Sequence, residues 1–411
     1  MARPDEPLDR RSFLTAVASA GAFASANGFT SVFERLPLPP GAPAPTWPPQ
    51  GRAFEIVVIG DSIMWGQGLS DNPAQNQKFT YKVQRFIEQK IPGTEVHVHN
   101  FAHSGAQILA DEDEDAKPAT YGEIPNYFPS INWQLARAVS ELAGVKRQYL
   151  PSRHALVAPE SVALVLMDGG INDLGTKKIL TLDPTILSNP LDPTSGAGWV
   201  RKATREQCVE RMRSLLPKVL TSFPNAKVVV TNYYQIVSQQ SDPVLLWELL
   251  KVWDIIGDEL AFTLDWTMKQ LTAQSFAFHD EITKGLREVV PNARPLEIAS
   301  RAGGFKLQGE GRTSRDVVAP QRRAAFAEIP FGPRNAYAAP ETNLFILNEP
   351  DPAASVRKAK CLERYGVLNP NCALAAGGHP NVKGATIYAD TIIAALRQLV
   401  PEWATAPRSR R

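Results

Sequence analysis

The run Phe54-Glu55-Ile56-Val57-Val58-Ile59, closed by Gly60-Asp61-Ser62, constrains the fold more than any other stretch of the 411 residues. A short run rich in β-branched residues and ended by glycine reads as a strand buried on both faces, as in a parallel sheet. Such a strand delivers Ser62 to a turn at the carboxyl edge of the sheet, where open α/β folds place their ligands. A free serine hydroxyl is a poor nucleophile, so chemistry there needs a base and donors for a developing oxyanion.

The alternation continues along the chain. Phe79, Val83, Phe86 and Ile87 have helical spacing and predict a helix over Phe79 to Lys90. Glu95 to Phe101 reads as a second strand, opening into His103-Ser104-Gly105-Ala106. Asn132 to Leu150 reads as a helix, Ser161 to Met167 as a third strand, and Asp168-Gly169-Gly170-Ile171-Asn172-Asp173 as the turn after it. A loop is expected over about Leu182 to Gly198, a helix over Thr204 to Phe223, and a fourth strand over Ala226 to Asn232. Helices are expected over Val244 to Val290, with a fifth strand at Arg294 to Ala299. Arg301 to Asn371 breaks the alternation and reads as a long insertion or lid. A helix with Tyr388, Ile392, Leu396 and Leu399 on its apolar face closes the chain. Strand and helix in turn predict a three-layer α/β/α sandwich around a mostly parallel, five-stranded sheet.

Composition fits a globular enzyme or binding protein. Apolar residues make up 44%, charged residues 21%, and the net charge is +2, which gives no reason to expect nucleic acid as a partner. No segment is long and apolar enough to span a membrane, and a monomer is the default. The N-terminus carries Arg10-Arg11-Ser12-Phe13-Leu14 before an Ala- and Gly-rich stretch, with Ala24-Ser25-Ala26 as small residues for cleavage. This resembles a twin-arginine signal over residues 1–26, implying export to a periplasm or the medium. Residues 27–52 are proline-rich and read as a linker, so the folded domain is expected over 53–411. In an exported chain Cys361 and Cys372 are close enough in sequence to bridge a loop, which leaves Cys208 as a thiol buried in a helix.

Gly60-Asp61-Ser62, Ser104-Gly105, Gly170-Ile171-Asn172-Asp173 and His379-Pro380-Asn381 each stand just after a strand or just before a helix. In this order and spacing they resemble the four blocks of the SGNH, or GDSL-type, esterase and lipase superfamily, with its flavodoxin-like fold. The resemblance implies Ser62 as nucleophile and His379 as general base. It implies an oxyanion hole made by the Ser62 and Gly105 backbone N–H groups and the Asn172 amide, with no metal or organic cofactor. The superfamily usually places aspartate three residues before the histidine, where this chain has Ala376. The Ala376 carbonyl is then the candidate for orienting the imidazole, with Glu349, Asp351 and Glu363 as carboxylates from the insertion to be tested against it.

The expected function is exported carboxylic ester hydrolysis on a small-molecule, lipid or acylated-glycan ester. Transfer of an acyl group, deacetylation of a polysaccharide, and non-catalytic binding of a carbohydrate or surface stay open beside it. Taken singly, Ser62, Asn172 and Asp173 also suit capping or turns, and Asp61 suits a turn acceptor. His97, His99 and His103 lack a metal-site pattern. Trp247, Trp253, Phe262 and Trp266 suit core packing better than an acyl pocket. The acidic run Asp111 to Asp115 suits a solvated loop.

Overall fold

In the computed structural model of the protein, residues 53–109, 129–144, 159–180, 196–238, 241, 243, 246, 264–295, 323–329, 379–380 and 382–403 are described. They all fall in one compact unit made of Thr46–Pro295 and Arg315–Arg411. Five strands form its sheet: β1 Ala53–Ile59, β2 Glu95–Asn100, β3 Val162–Met167, β4 Lys227–Thr231 and β5 Ala324–Ala327. Their order is β2-β1-β3-β4-β5, and every pair is parallel. The chain steps outward from β1 to β2 on one side, then crosses back over β1 to β3 and continues outward to β4 and β5 on the other. The strand order therefore reverses between β1 and β3, and their carboxyl ends are the topological switch point at which doubly wound sheets hold a ligand.

The centre of the sheet forms because β1 and β3 are apolar on both faces. All six residues of β3 are buried, as are Phe54 to Ile59 of β1, and each fully buried Val, Leu or Ile side chain contributes about 1.5–3 kcal/mol. Glu55 is the polar exception. It lies where the β1–β3 register shifts, and its carboxylate meets His99 Nε2 at 2.7 Å across the β1–β2 pair.

Nine helices, some of a single turn, are described: α1 Ser62–Trp65, α2 Phe79–Lys90, α3 Ile131–Gly144, α4 Ile171–Leu174, α5 Thr176–Ile179, α6 Gly196–Ala203, α7 Glu210–Ser222, α8 Leu264–Asn292 and α9 Val382–Leu399. Helix α2 has the bounds that its spacing predicts. The helix expected from Thr204 begins earlier, at Gly196 inside the expected loop, and passes through a π-helical stretch, Thr204–Val209, into α7. There Thr204 Oγ1 donates to Val200 O at 2.7 Å, satisfying a carbonyl that the widened turn disturbs. Helix α9 lies against α2, β4 and β5, with Tyr388 stacked on Phe79 at 5.5 Å between ring centroids.

The fifth strand departs from expectation. Helix α8 runs on to Asn292, Arg294 and Pro295 follow it as irregular chain, and Leu296 to Ala299 lie outside the described residues. The strand beside β4 is Ala324–Ala327, inside the stretch 301–371 read as an insertion. That stretch therefore supplies part of the sheet. Ala-Ala-Phe-Ala has no β-branched residue to announce a strand, and its small side chains let α8 and α9 approach the sheet there.

Candidate active site

The nucleophile turn is built on a glycine and two buried acids. Gly60, directly after β1, has φ +149°, and a Cβ there would lie 2.1 Å from Asp168 Oδ1. Its N–H donates to Gln134 Oε1 at 2.8 Å, and its carbonyl accepts from Gln134 Nε2 and from the His103 N–H, both at 3.0 Å. Asp61 caps α1, its Oδ1 accepting the Ile63 N–H at 2.9 Å. The Asp61 N–H donates to Asp168 Oδ1 at 2.8 Å, and the Tyr233 hydroxyl donates to Asp61 Oδ2 at 2.5 Å. Ser62 is therefore the first residue of α1 rather than its cap. It is 8% exposed, and neither its hydroxyl nor its N–H makes a hydrogen bond to a described residue.

The turns after β2 and β3 are tied to each other. Gly105 stands at φ +81°, a conformation that suits glycine, and its N–H also has no acceptor among the described residues. Asn172 Nδ2 donates to Ala106 O at 3.1 Å, which leaves its second amide hydrogen unused, and Gln107 Nε2 donates to Asn172 O at 3.2 Å. The buried Asp173 carboxylate accepts the Ile108 N–H at 3.0 and 3.1 Å and Arg211 Nη1 at 2.8 Å. Burial lifts this carboxyl to about 7 against the pull of Arg211 and the Ile108 N–H. Cys208, a free and buried thiol on the π-helical turn as expected, donates to Gly170 O at 3.0 Å. The two turns thus share four links, and the long helix behind them anchors the second.

His379 is half-buried and precedes the buried Pro380 and the start of α9. No hydrogen bond joins it to Ser62. Ala376, Cys361, Cys372, Glu349, Asp351, Glu363 and Asn381 lie outside the described residues. So do residues 1–52, with the signal and linker, together with Asp111 to Asp115, Trp247, Trp253 and Phe262.

Residues 56–239, which carry the first three of these turns, match the family model described as GDSL-like lipase/acylhydrolase. This is a GDSL-type lipase/acylhydrolase domain. With it the chain is a carboxylic ester hydrolase. No curated protein matches the chain. Among solved structures, it is similar to an extracellular lipase from Streptomyces rimosus, with 12% identity, a TM-score of 0.40, and coverage of 83% of this chain and 99% of that one. It is also similar to a phospholipase A1 from Streptomyces albidoflavus, with 15% identity, a TM-score of 0.30, and coverage of 57% and 76%. For an acetyl xylan esterase from Geobacillus stearothermophilus the values are 13%, 0.31, and 87% and 97%. At such identities and scores the likeness is no guide to substrate.

Several residues that shape the GDSL domain's turns had no motif to announce them. Asp168, Gln134 and Tyr233 come from three separate parts of the chain and meet around Gly60 and Asp61 only in the folded protein, while Arg211 of α7 reaches Asp173. Their one sequence signal is position, since Asp168 follows β3 and Tyr233 closely follows β4. The histidines after β1 pair locally. His99 bonds Glu55, His97 lies 3.4 Å from Glu95, and His103 Nδ1–H donates to Ser104 O at 2.8 Å. Among the described residues no group of three His, Cys, Asp or Glu side chains is placed to hold a metal ion. Trp266 packs against the core, and no helix among the described residues is long and apolar enough to cross a membrane.

Proposed function

We propose that the GDSL domain hydrolyses its ester through an acyl-enzyme on Ser62, with His379 as general base. The observation that carries this reading is that the Ser62 hydroxyl and the Ser62 and Gly105 N–H groups have no partner among the described residues, on the turns where the sheet's strand order reverses. Donors at a buried or half-buried turn are normally paired, with protein or with water. Two left open around a serine suit an oxyanion, to which the second Asn172 amide hydrogen adds a third donor. Ser62 Oγ attacks the carbonyl carbon as its proton passes to the His379 imidazole, and the alcohol departs with that proton. Water then takes the same route, giving its proton to His379 and releasing the acid. A hydrogen bond from serine to base that is missing before substrate binds is compatible with this scheme. The Ala376 carbonyl is the proposed acceptor for His379 Nδ1–H.

The substrate is proposed to lie outside the cytoplasm, because residues 1–26 read as an export signal. Replacing Arg10 and Arg11 by lysine should then retain the enzyme in the cytoplasm.

Fluorophosphonate labelling, together with p-nitrophenyl esters from acetate to long acyl chains, tests the chemistry. Ser62→Ala should abolish labelling and turnover. Asn172→Ala should lower kcat by about 10²–10³-fold, the effect of losing one oxyanion donor. Labelling and turnover that persist in Ser62→Ala would end this reading.

A further inference from the structure

Two acids lie directly beneath the nucleophile turn with no positive charge against them. Asp61 and Asp168 are both fully enclosed. Asp168 Oδ1 accepts the Asp61 N–H, the Met64 N–H also lies within reach of the carboxyl, and Oδ2 is buried with no hydrogen-bond partner among the described residues. Asp61 offers Oδ1 to Ile63 and Oδ2 to Tyr233, and its carboxyl also lies within hydrogen-bonding reach of the Asp168 carboxyl. No lysine, arginine or histidine is among the groups that perturb either acid. Two enclosed carboxyls in contact do not both ionise near neutrality.

We propose that the pair holds one shared proton at neutral pH, carried by Asp168 and donated to Asp61, and that Asp168 and Tyr233 are positioning residues for Ser62. Asp61 is then a carboxylate accepting three donors: the Ile63 N–H, the Tyr233 hydroxyl and the Asp168 hydroxyl. These fix the cap of α1, and with it the place of Ser62 one residue on. The arrangement also accounts for glycine at position 60, since a side chain there would displace Asp168 Oδ1.

The other titratable groups leave this proton in place. Tyr233 and Tyr234, from the segment after β4, are themselves driven well up by burial and by the Asp61 charge, so both remain neutral. Asp173, after β3, adds only like charge. Gln134 of α3 is neutral, and the His103 N–H, after β2, bonds Gly60 O. His279 of α8 reaches the Tyr233 carbonyl at 2.6 Å. Burial raises Asp61 to about 6, and raises Asp168 well above the carboxylate range with Asp61 as the next cause, so Asp168 is the acid that keeps the proton.

Infrared spectroscopy and kinetics test the proposal on the intact protein. At about pH 8.5, where the Asp173 carboxyl has ionised, the wild type should still show the C=O band of a protonated carboxyl, and Asp168→Asn should lack it. Asparagine can donate to Asp61 as the acid does, so Asp168→Asn should keep kcat within about tenfold of wild type. Asp168→Ala should lower kcat about 100-fold with KM little changed, because the nucleophile loses its support. Tyr233→Phe should lower kcat about tenfold.

A raised acid stabilises the fold most below its ordinary range, and that stability is lost as pH rises. Asp168→Asn should therefore remove one proton's worth of this slope, about tenfold in the unfolding constant per pH unit. The activity arm rests on Ser62 as nucleophile, whereas the infrared and pH arms do not. Absence of the band in wild type, or equal losses in Asp168→Asn and Asp168→Ala, would overturn the proposal. If Asp168→Asn does not fold, the wild-type spectrum above the range in which Asp173 ionises still decides.

Discussion

Gly60→Ala is the sharpest single perturbation of this domain. Real Cβ contacts stay beyond about 3 Å, yet a Cβ at residue 60 would meet Asp168 Oδ1 at 2.1 Å and Met64 Cβ and Cγ at 2.7 Å. Asp168 Oδ1 is held by the Asp61 N–H at 2.8 Å, so retreat breaks a buried bond, at a cost of about 1–3 kcal/mol. The backbone at φ +149° is a conformation essentially reserved for glycine, and holding alanine there adds about 1–3 kcal/mol. Overpacking against Met64 adds a term of similar size, about 1–3 kcal/mol. The expected loss is about 4 kcal/mol or more, a large share of the 5–15 kcal/mol by which domains are stable. Urea unfolding should show it as a fall in midpoint of about 1 M or more. Any folded fraction should label poorly with a fluorophosphonate, because Ser62 lies two residues away. A variant with an unchanged midpoint and full labelling would refute the account of the turn.

Two further outcomes follow from the site's supports. Asp173→Ala leaves the Ile108 N–H buried without an acceptor and should cost about 1–3 kcal/mol. It should also lower kcat more than it changes KM, since the turn bearing Gly105 loses two of its four links to the turn bearing Asn172. Arg211→Met leaves the Asp173 side chain, 0% exposed, without its cation and should cost about 1–3 kcal/mol. Wild-type kcat in Asp173→Ala would show that the tie does not matter. His279 is held below its ordinary 6.5, chiefly by burial. The unfolded chain then takes up a proton that the folded chain resists, so stability is lost as pH falls below 6.5. His279→Gln should flatten that part of the pH–stability curve, as measured by thermal melting from pH 5 to 8.

Strands β1, β3 and β4 were legible because parallel strands buried on both faces must be largely apolar, and β2 was legible from the alternation of apolar and polar residues along Glu95–Asn100. Helix α2 was legible from its apolar spacing. The fifth strand was not. Ala324–Ala327 carries no strand-like side chains, and it pairs because β4 offers it an open edge beneath α8 and α9. Asp61 was readable as an acceptor in its own turn, which it is for the Ile63 N–H. Asp173, readable only as a turn residue, instead bridges Ile108 and Arg211.

What the chain determined by itself is local: where strands and helices form, which turns follow them, and which serine, glycine and asparagine stand on those turns. These depend on side-chain pattern over a few residues, and such pattern is written in the sequence. The tertiary structure decided the strand order, the switch point between β1 and β3, and the joining of Asp61, Asp168, Gln134 and Tyr233 around Gly60. Those contacts cross 74 to 172 residues of chain. They depend on burial and on the pairing of polar groups cut off from water, which exist only once the sheet has closed under its helices.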